Sequence, residues 1–113
     1  MDEILKQTLL FDFYGELLTN HQKEIYEQFI IEDLSLSEIA KEANISRQGV
    51  HDLVKRCDKT LEEYEEKLHL VEKFLTVKEK IHQINDLLSE VQADENQLIQ
   101  KIKEISADII EEL

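Results

Sequence analysis

The sequence predicts an all-α protein: a helix-turn-helix head followed by a long heptad-bearing C-terminal helix or helical hairpin. Three observations carry that expectation. Proline is absent from the 113 residues and glycine occurs only at 15 and 49, while the dominant Leu, Ile, Glu and Lys all suit helix. Residues 35–57 have the pattern of two short helices folded around a tight turn. From Leu70 onward, apolar residues recur in alternating steps of four and three, the mark of a coiled-coil seam. Alternating β-branched runs bounded by turn pairs, which would signal strands, are nearly missing.

The elements follow in order. A first helix is expected over Glu3 to Leu18, with Ile4, Leu5, Leu9, Leu10, Phe13, Leu17 and Leu18 on one face. Phe11 and Tyr14 widen that stripe, as core filler or as a docking surface, and Gly15 marks a bend or an end. Thr19 or Asn20 can cap a second helix, which buries Ile25, Tyr26, Phe29 and Ile30 and stops near Glu32 and Asp33. Ser35 and Glu38 have the spacing of a capping box. Ile39 and Ala40 supply the inner face of the third helix, and Ala40 and Ala43 are small enough for another helix to cross close by. Asn44 suits the left-handed residue that ends a helix. Ile45 is expected to plug the turn and Ser46 to cap the next helix. Val50, Leu53 and Val54 then return to the core. Leu17, Ile25, Phe29, Leu36, Ile39, Ile45, Val50 and Leu53 would thus form one core, in a head spanning 1–68.

The tail, 69–113, is coiled-coil-like. Leu70, Phe74, Val77, Ile81, Ile84, Leu88, Val91, Leu98, Ile102, Ile105 and Ile109 share one seam, interrupted only at Glu95. Such a seam must meet another helix. Either the chain turns back between Gln92 and Asn96, with Asp94 capping the return, or two chains pair. In the second case a homodimer is expected, with Phe74, Val77, Ile81, Ile84, Leu88 and Val91 as its interface.

Charge narrows the function. The formal net charge is −13, which repels nucleic acid at long range. Residues 46–60 are the exception, with Arg47, Lys55, Arg56 and Lys59 against Asp52 and Asp58. Arg47, Gln48, His51, Lys55 and Arg56 are expected on the outward face of the second helix of the motif, where that helix meets a groove of DNA or RNA. Catalytic chemistry has few candidates. His21, His51, His69 and His82 include no pair at the four-residue spacing that puts two metal ligands on one helix face. The single cysteine, Cys57, excludes an intramolecular disulfide and a cysteine-based metal cluster, and packing is its expected role. Glu62-Glu63 and Glu65-Glu66 read as a solvated acidic face. No glycine-rich phosphate loop is present. The expectation is a binding protein, not an enzyme, with no cofactor and no metal. Without a leader or an apolar run of spanning length, it is expected in the cytoplasm.

Three strings, LFDFYGELLT (Leu10 to Thr19), LSLSEIAKEANISRQGVHDLVKR (Leu34 to Arg56) and LEEYEEKLHLVEKF (Leu61 to Phe74), resemble the YlxM family of small bacterial helix-turn-helix proteins. The middle string alone is also similar to region 4 of bacterial sigma factors. The likeness covers about residues 1–90 and departs from the family pattern at Gly49 and His51, both in the second helix of the motif. It implies a sigma-region-4-like core and a regulatory or accessory role linked to the signal recognition particle pathway, whose components become candidate partners. A dimeric DNA-binding transcription regulator is the competing expectation.

Overall fold

Helix boundaries in this chain are set by side chains that satisfy the free amides at helix ends. The computed structural model describes residues 2–90 and 96–112. Among these residues it contains six α-helices and no strand: α1 (Glu3–Tyr14), α2 (Asn20–Ile30), α3 (Leu36–Ala43), α4 (Arg47–Leu68), α5 (Leu70–Ser89) and α6 (Asn96–Glu112), with a 3-10 turn at Gly15–Leu17. Thr19 and Gln22 cap α2 reciprocally, and Ser35 and Glu38 do the same for α3. The Ser46 hydroxyl accepts the Gly49 N–H at 2.9 Å and starts α4. Asn44 ends α3 and His69 ends α4, both left-handed, with φ of 59° and 56°. The chain divides into two compact units, 1–71 and 72–113.

In the first unit α1, α2 and α3 all pack on α4. Its core is more aromatic than the apolar pattern suggested. Leu10, Phe11, Tyr14, Leu18, Ile25, Tyr26, Ile39, Val50, Val54, Cys57 and Leu61 are buried. The Phe11 and Tyr26 rings lie 5.6 Å apart, and Tyr14 stacks on Tyr64 at 6.0 Å. The Phe11 ring also covers Gly15 so closely that a Cβ there would sit 3.0 Å from two ring carbons. Phe11 and Tyr14 are therefore core.

Two expected core residues are not. Leu17 is 55% exposed, because α1 stops at Tyr14 and the tighter 3-10 turn rotates Leu18 inward in its place. Ile45 is 37% exposed. Its N–H donates to the Ala40 carbonyl at 3.1 Å, so a backbone bond closes the turn, as in a Schellman motif, and no side chain has to plug it.

Two carboxylates tie the helices of this unit together. Asp58 on α4 accepts hydrogen bonds from the Tyr26 hydroxyl and from Gln7 Nε2, joining α2 and α1 to α4. Glu65, about two turns further on, accepts the Tyr14 O–H at 2.6 Å and the Val71 N–H at 2.9 Å. Tyr14 Oη in turn accepts the Leu70 N–H at 3.1 Å. The first amides of α5 are thus satisfied by side chains of α1 and α4. That carries the compact unit three residues past the end of α4. Burial, then the bond to Asp58, raises the Tyr26 phenol far above its ordinary value, and burial followed by the Glu65 bond does the same in kind for Tyr14.

The second unit is leaner. Ile81 and Ile99 are its buried apolar residues and Ser106 its buried polar one among those described. The heptad seam does not face inward as a whole. On α5, Ile81 is buried and Phe74 and Leu88 are half-buried, while Val77 and Ile84 stay exposed within the single chain. On α6, all four seam residues, Leu98, Ile102, Ile105 and Ile109, are exposed. The stripe one residue further along, Ile99, Lys103, Ser106 and Ile110, turns inward. Val91, the expected break from Gln92, the cap Asp94 and the seam gap Glu95 lie outside the described residues. Among those described, no helix is long and apolar enough to cross a membrane.

Candidate nucleic-acid interface

The helix that carries the candidate contacts is longer than the motif requires. A recognition helix of about three turns was legible in residues 46–57; α4 runs 22 residues, to Leu68. Val50, Val54, Cys57 and Leu61 anchor it to the core at steps of four and three. At about 100° per residue, the face opposite those anchors carries Gln48, Asp52, Lys55 and Lys59. All four are exposed. Arg56 flanks that face, while Arg47, in the first turn, falls about half a turn from Arg56 and nearer the anchored side; both are exposed.

The structure moves one candidate and adds another. His51 is half-buried, on the side of α4 between the outward face and the core, and not fully outward as expected. Its Nδ1 lies 3.6 Å from Asp52 Oδ1, too far to hydrogen-bond, and has no hydrogen-bond partner. Lys59 joins the outward face but was not among the sequence candidates, because the motif pattern ends at residue 57. The helical count from Lys55 would have found it, since the two are four residues apart.

Asp52 sits in the middle of this face. It accepts the Gln48 side-chain N–H at 2.9 Å, so the amide that would read a base edge is held by a neighbour one turn away. The charge of α4 then reverses along its length. Arg47, Lys55, Arg56 and Lys59 occupy the first thirteen residues, and exposed Glu62, Glu63 and Glu66 follow on the outward side. The N-terminal end also carries the positive end of the helix dipole. An anionic partner is attracted to the first half of α4 and repelled by the second.

Cys57 is fully buried, and desolvation pushes its thiol up to about 11. It is a packing residue, as its position on the anchored face requires.

Comparison with known proteins supports the motif. Residues 1–105 match the model of a family described as "Putative helix-turn-helix protein, YlxM / p13 like". A UPF0122 protein of Caldanaerobacter subterraneus subsp. tengcongensis is 49% identical over 87 residues, which is 77% of this chain and 74% of that one. A UPF0122 protein of Thermoanaerobacter sp. (strain X514) is 42% identical over 113 residues, 97% and 96% of the two chains. One of Shouchella clausii is 41% identical over 107 residues, 93% and 98%.

Proposed function

Because the chain belongs to the YlxM/p13-like family of helix-turn-helix proteins, we propose that it binds nucleic acid through the first half of α4. We place it as a cytoplasmic accessory or regulatory protein of the signal recognition particle pathway, built on a sigma-region-4-like head. It acts by binding, not by chemistry. The observation that carries this reading is the set of exposed cations Arg47, Lys55, Arg56 and Lys59 on the first half of α4, in a chain of net charge −13. A surface that is otherwise acidic gains nothing for folding from gathering four cations on one helix. Arg47 and Arg56 contact phosphates, Lys55 and Lys59 reach into the groove, and Gln48 reads a base edge once it leaves Asp52. His51 contributes from the side.

The test is fluorescence anisotropy with the particle's RNA and with random duplex DNA, at two salt concentrations, for the natural chain and an Arg47→Ala, Lys55→Ala double variant. Affinity should fall steeply with salt, and the variant should lose affinity and show a salt slope shallower by about one phosphate contact. Equal binding by the two proteins would refute the α4 interface.

A second reading is a DNA-binding transcription regulator that acts as a homodimer. It is favoured by the apolar side chains left exposed on α5 and α6. Two α4 helices would then enter successive major grooves about 34–36 Å apart. Selection from random duplex DNA separates the two. Enrichment of a palindrome with half-sites one turn apart supports the regulator, and its absence supports the targeting role.

A further inference from the structure

Helix α6 is amphipathic in two directions. Ile99 and Ser106 are buried, as the inner face of its own unit requires. About 100° around the helix, Leu98, Ile102, Ile105 and Ile109 form a second apolar stripe, and all four are exposed. Their steps of four, three and four are those of a coiled-coil seam. The first face is already covered within the single chain. The second is surplus to the monomer.

The charges beside this stripe say what covers it. In heptad terms Leu98 and Ile105 are d positions and Ile102 and Ile109 are a positions, so Lys101 and Asp108 are the two g positions flanking the seam. Both are exposed. The opposite flank, the e positions, is Ile99 and Ser106, which are buried within the single chain. Only one flank is therefore open to a partner, and it carries one positive and one negative charge.

We infer that α6 pairs with α6 of a second copy of the chain, antiparallel, through Leu98, Ile102, Ile105 and Ile109. In that arrangement Leu98 faces the partner's Ile109 and Ile102 faces the partner's Ile105. Positions g then face one another across the seam. Lys101 meets the partner's Asp108, and by symmetry Asp108 meets the partner's Lys101. One two-fold axis thus satisfies every seam residue and both charges, as an isologous interface must. A parallel pair would set Lys101 against Ser106, which is buried at home, and would leave both charges without a mate. The paired segment is about 16 Å long. It belongs to the small, weak class of interfaces, so the dimer is concentration-dependent. The pairing is independent of nucleic-acid binding and holds whether or not α4 finds a groove.

The experiment is sedimentation velocity on the full chain, at near-physiological salt, over about two decades of concentration. The natural chain should pass from monomer to dimer. Lys101→Asp alone sets Asp against Asp at both contacts, and Asp108→Lys alone sets Lys against Lys. Each should raise the dissociation constant about tenfold. The equimolar mixture of the two single variants restores opposite charges at both contacts and should dimerise as heterodimer, and the double variant Lys101→Asp, Asp108→Lys should dimerise like the natural chain. Both substitutions are on the exposed surface, and recovery on mixing shows that each variant is folded. A chain that stays monomeric throughout, or a dimer indifferent to the single reversals, overturns the inference. So does a mixture that behaves like its two components.

Discussion

The two units solve the same problem in opposite ways. Both are built from helices with apolar residues at steps of three and four. In 1–71 that pattern is closed by aromatic rings and by two carboxylates, Asp58 and Glu65, that each gather donors from other helices. In 72–113, among the described residues, Val77, Ile84, Leu98, Ile102, Ile105 and Ile109 of the apolar seam stay exposed in the single chain. The difference teaches that heptad periodicity reports the capacity to pack, and not which partner is used. A unit that must stand alone is held by contacts distant in sequence. A unit that keeps an apolar face exposed has packing capacity that the single chain does not use.

Alkali should separate the two most sharply. Tyr14 and Tyr26 have raised folded-state pKa values, and Cys57 is pushed up to about 11. The folded unit therefore holds protons that the unfolded chain releases. This stabilisation is fully present below the ordinary values, about 9 for the thiol and about 10 for the tyrosines, and is lost as pH climbs from there toward the folded-state values. Residues 72–113 contain no tyrosine and no cysteine. Melting followed by circular dichroism above about pH 10 should show the first unit losing stability, with Tyr26→Phe less sensitive than the natural chain. Free titration of Tyr14 and Tyr26 near pH 10 with helicity unchanged would break the distinction.

The core substitutions come next. Leu61→Ala removes a fully buried side chain from α4 and should cost about 2–5 kcal/mol in denaturant unfolding. Ile84→Ala on α5, 47% exposed, should cost the dilute monomer less than about 1 kcal/mol. Comparable losses at the two sites would mean that the second unit is as tightly packed as the first.

Gly15→Ala sharpens the aromatic side of the contrast. The new methyl would press on the buried Phe11 ring at 3.0 Å, and overpacking of this kind costs about 1–3 kcal/mol. A stabilised variant would show that the ring can yield. The smallest effect is expected at Ser46. Removing its hydroxyl frees the Gly49 amide at the start of α4, for a loss of about 1 kcal/mol on Ser46→Ala. Ser46→Thr should retain most of it.

What the sequence made legible was local. Thr19, Ser35, Asn44 and Ser46 can be read because each acts on amides within five residues of itself, through chemistry that does not depend on the rest of the fold. The helix-turn-helix follows from them. Leu17 and Ile45 were misplaced because a 3-10 turn and a backbone bond, neither written in hydropathy, decided which way they point. The Tyr14–Glu65 pair was out of reach, since 51 residues separate its members and no periodicity links them. Most of the candidate interface was read directly. His51 was not, because its angle on α4 depends on where the core anchors lie, and Lys59 lay beyond the motif that drew attention to the helix.

The reversal of charge along α4 has a consequence for how much this chain can know about a sequence. From Arg47 to Lys59 the basic stretch measures about 18 Å, and a duplex advances 3.4 Å per base pair, so on the proposed function one helix would inspect about five pairs before its own glutamates turned it away. Five pairs amount to about ten bits. A word that short recurs by chance about once per thousand positions, against the ~10⁶–10⁹ competing sites a genome offers. A single head is therefore a coarse reader. Any address longer than one such word has to be spelled by a second head, or by a partner that supplies the rest.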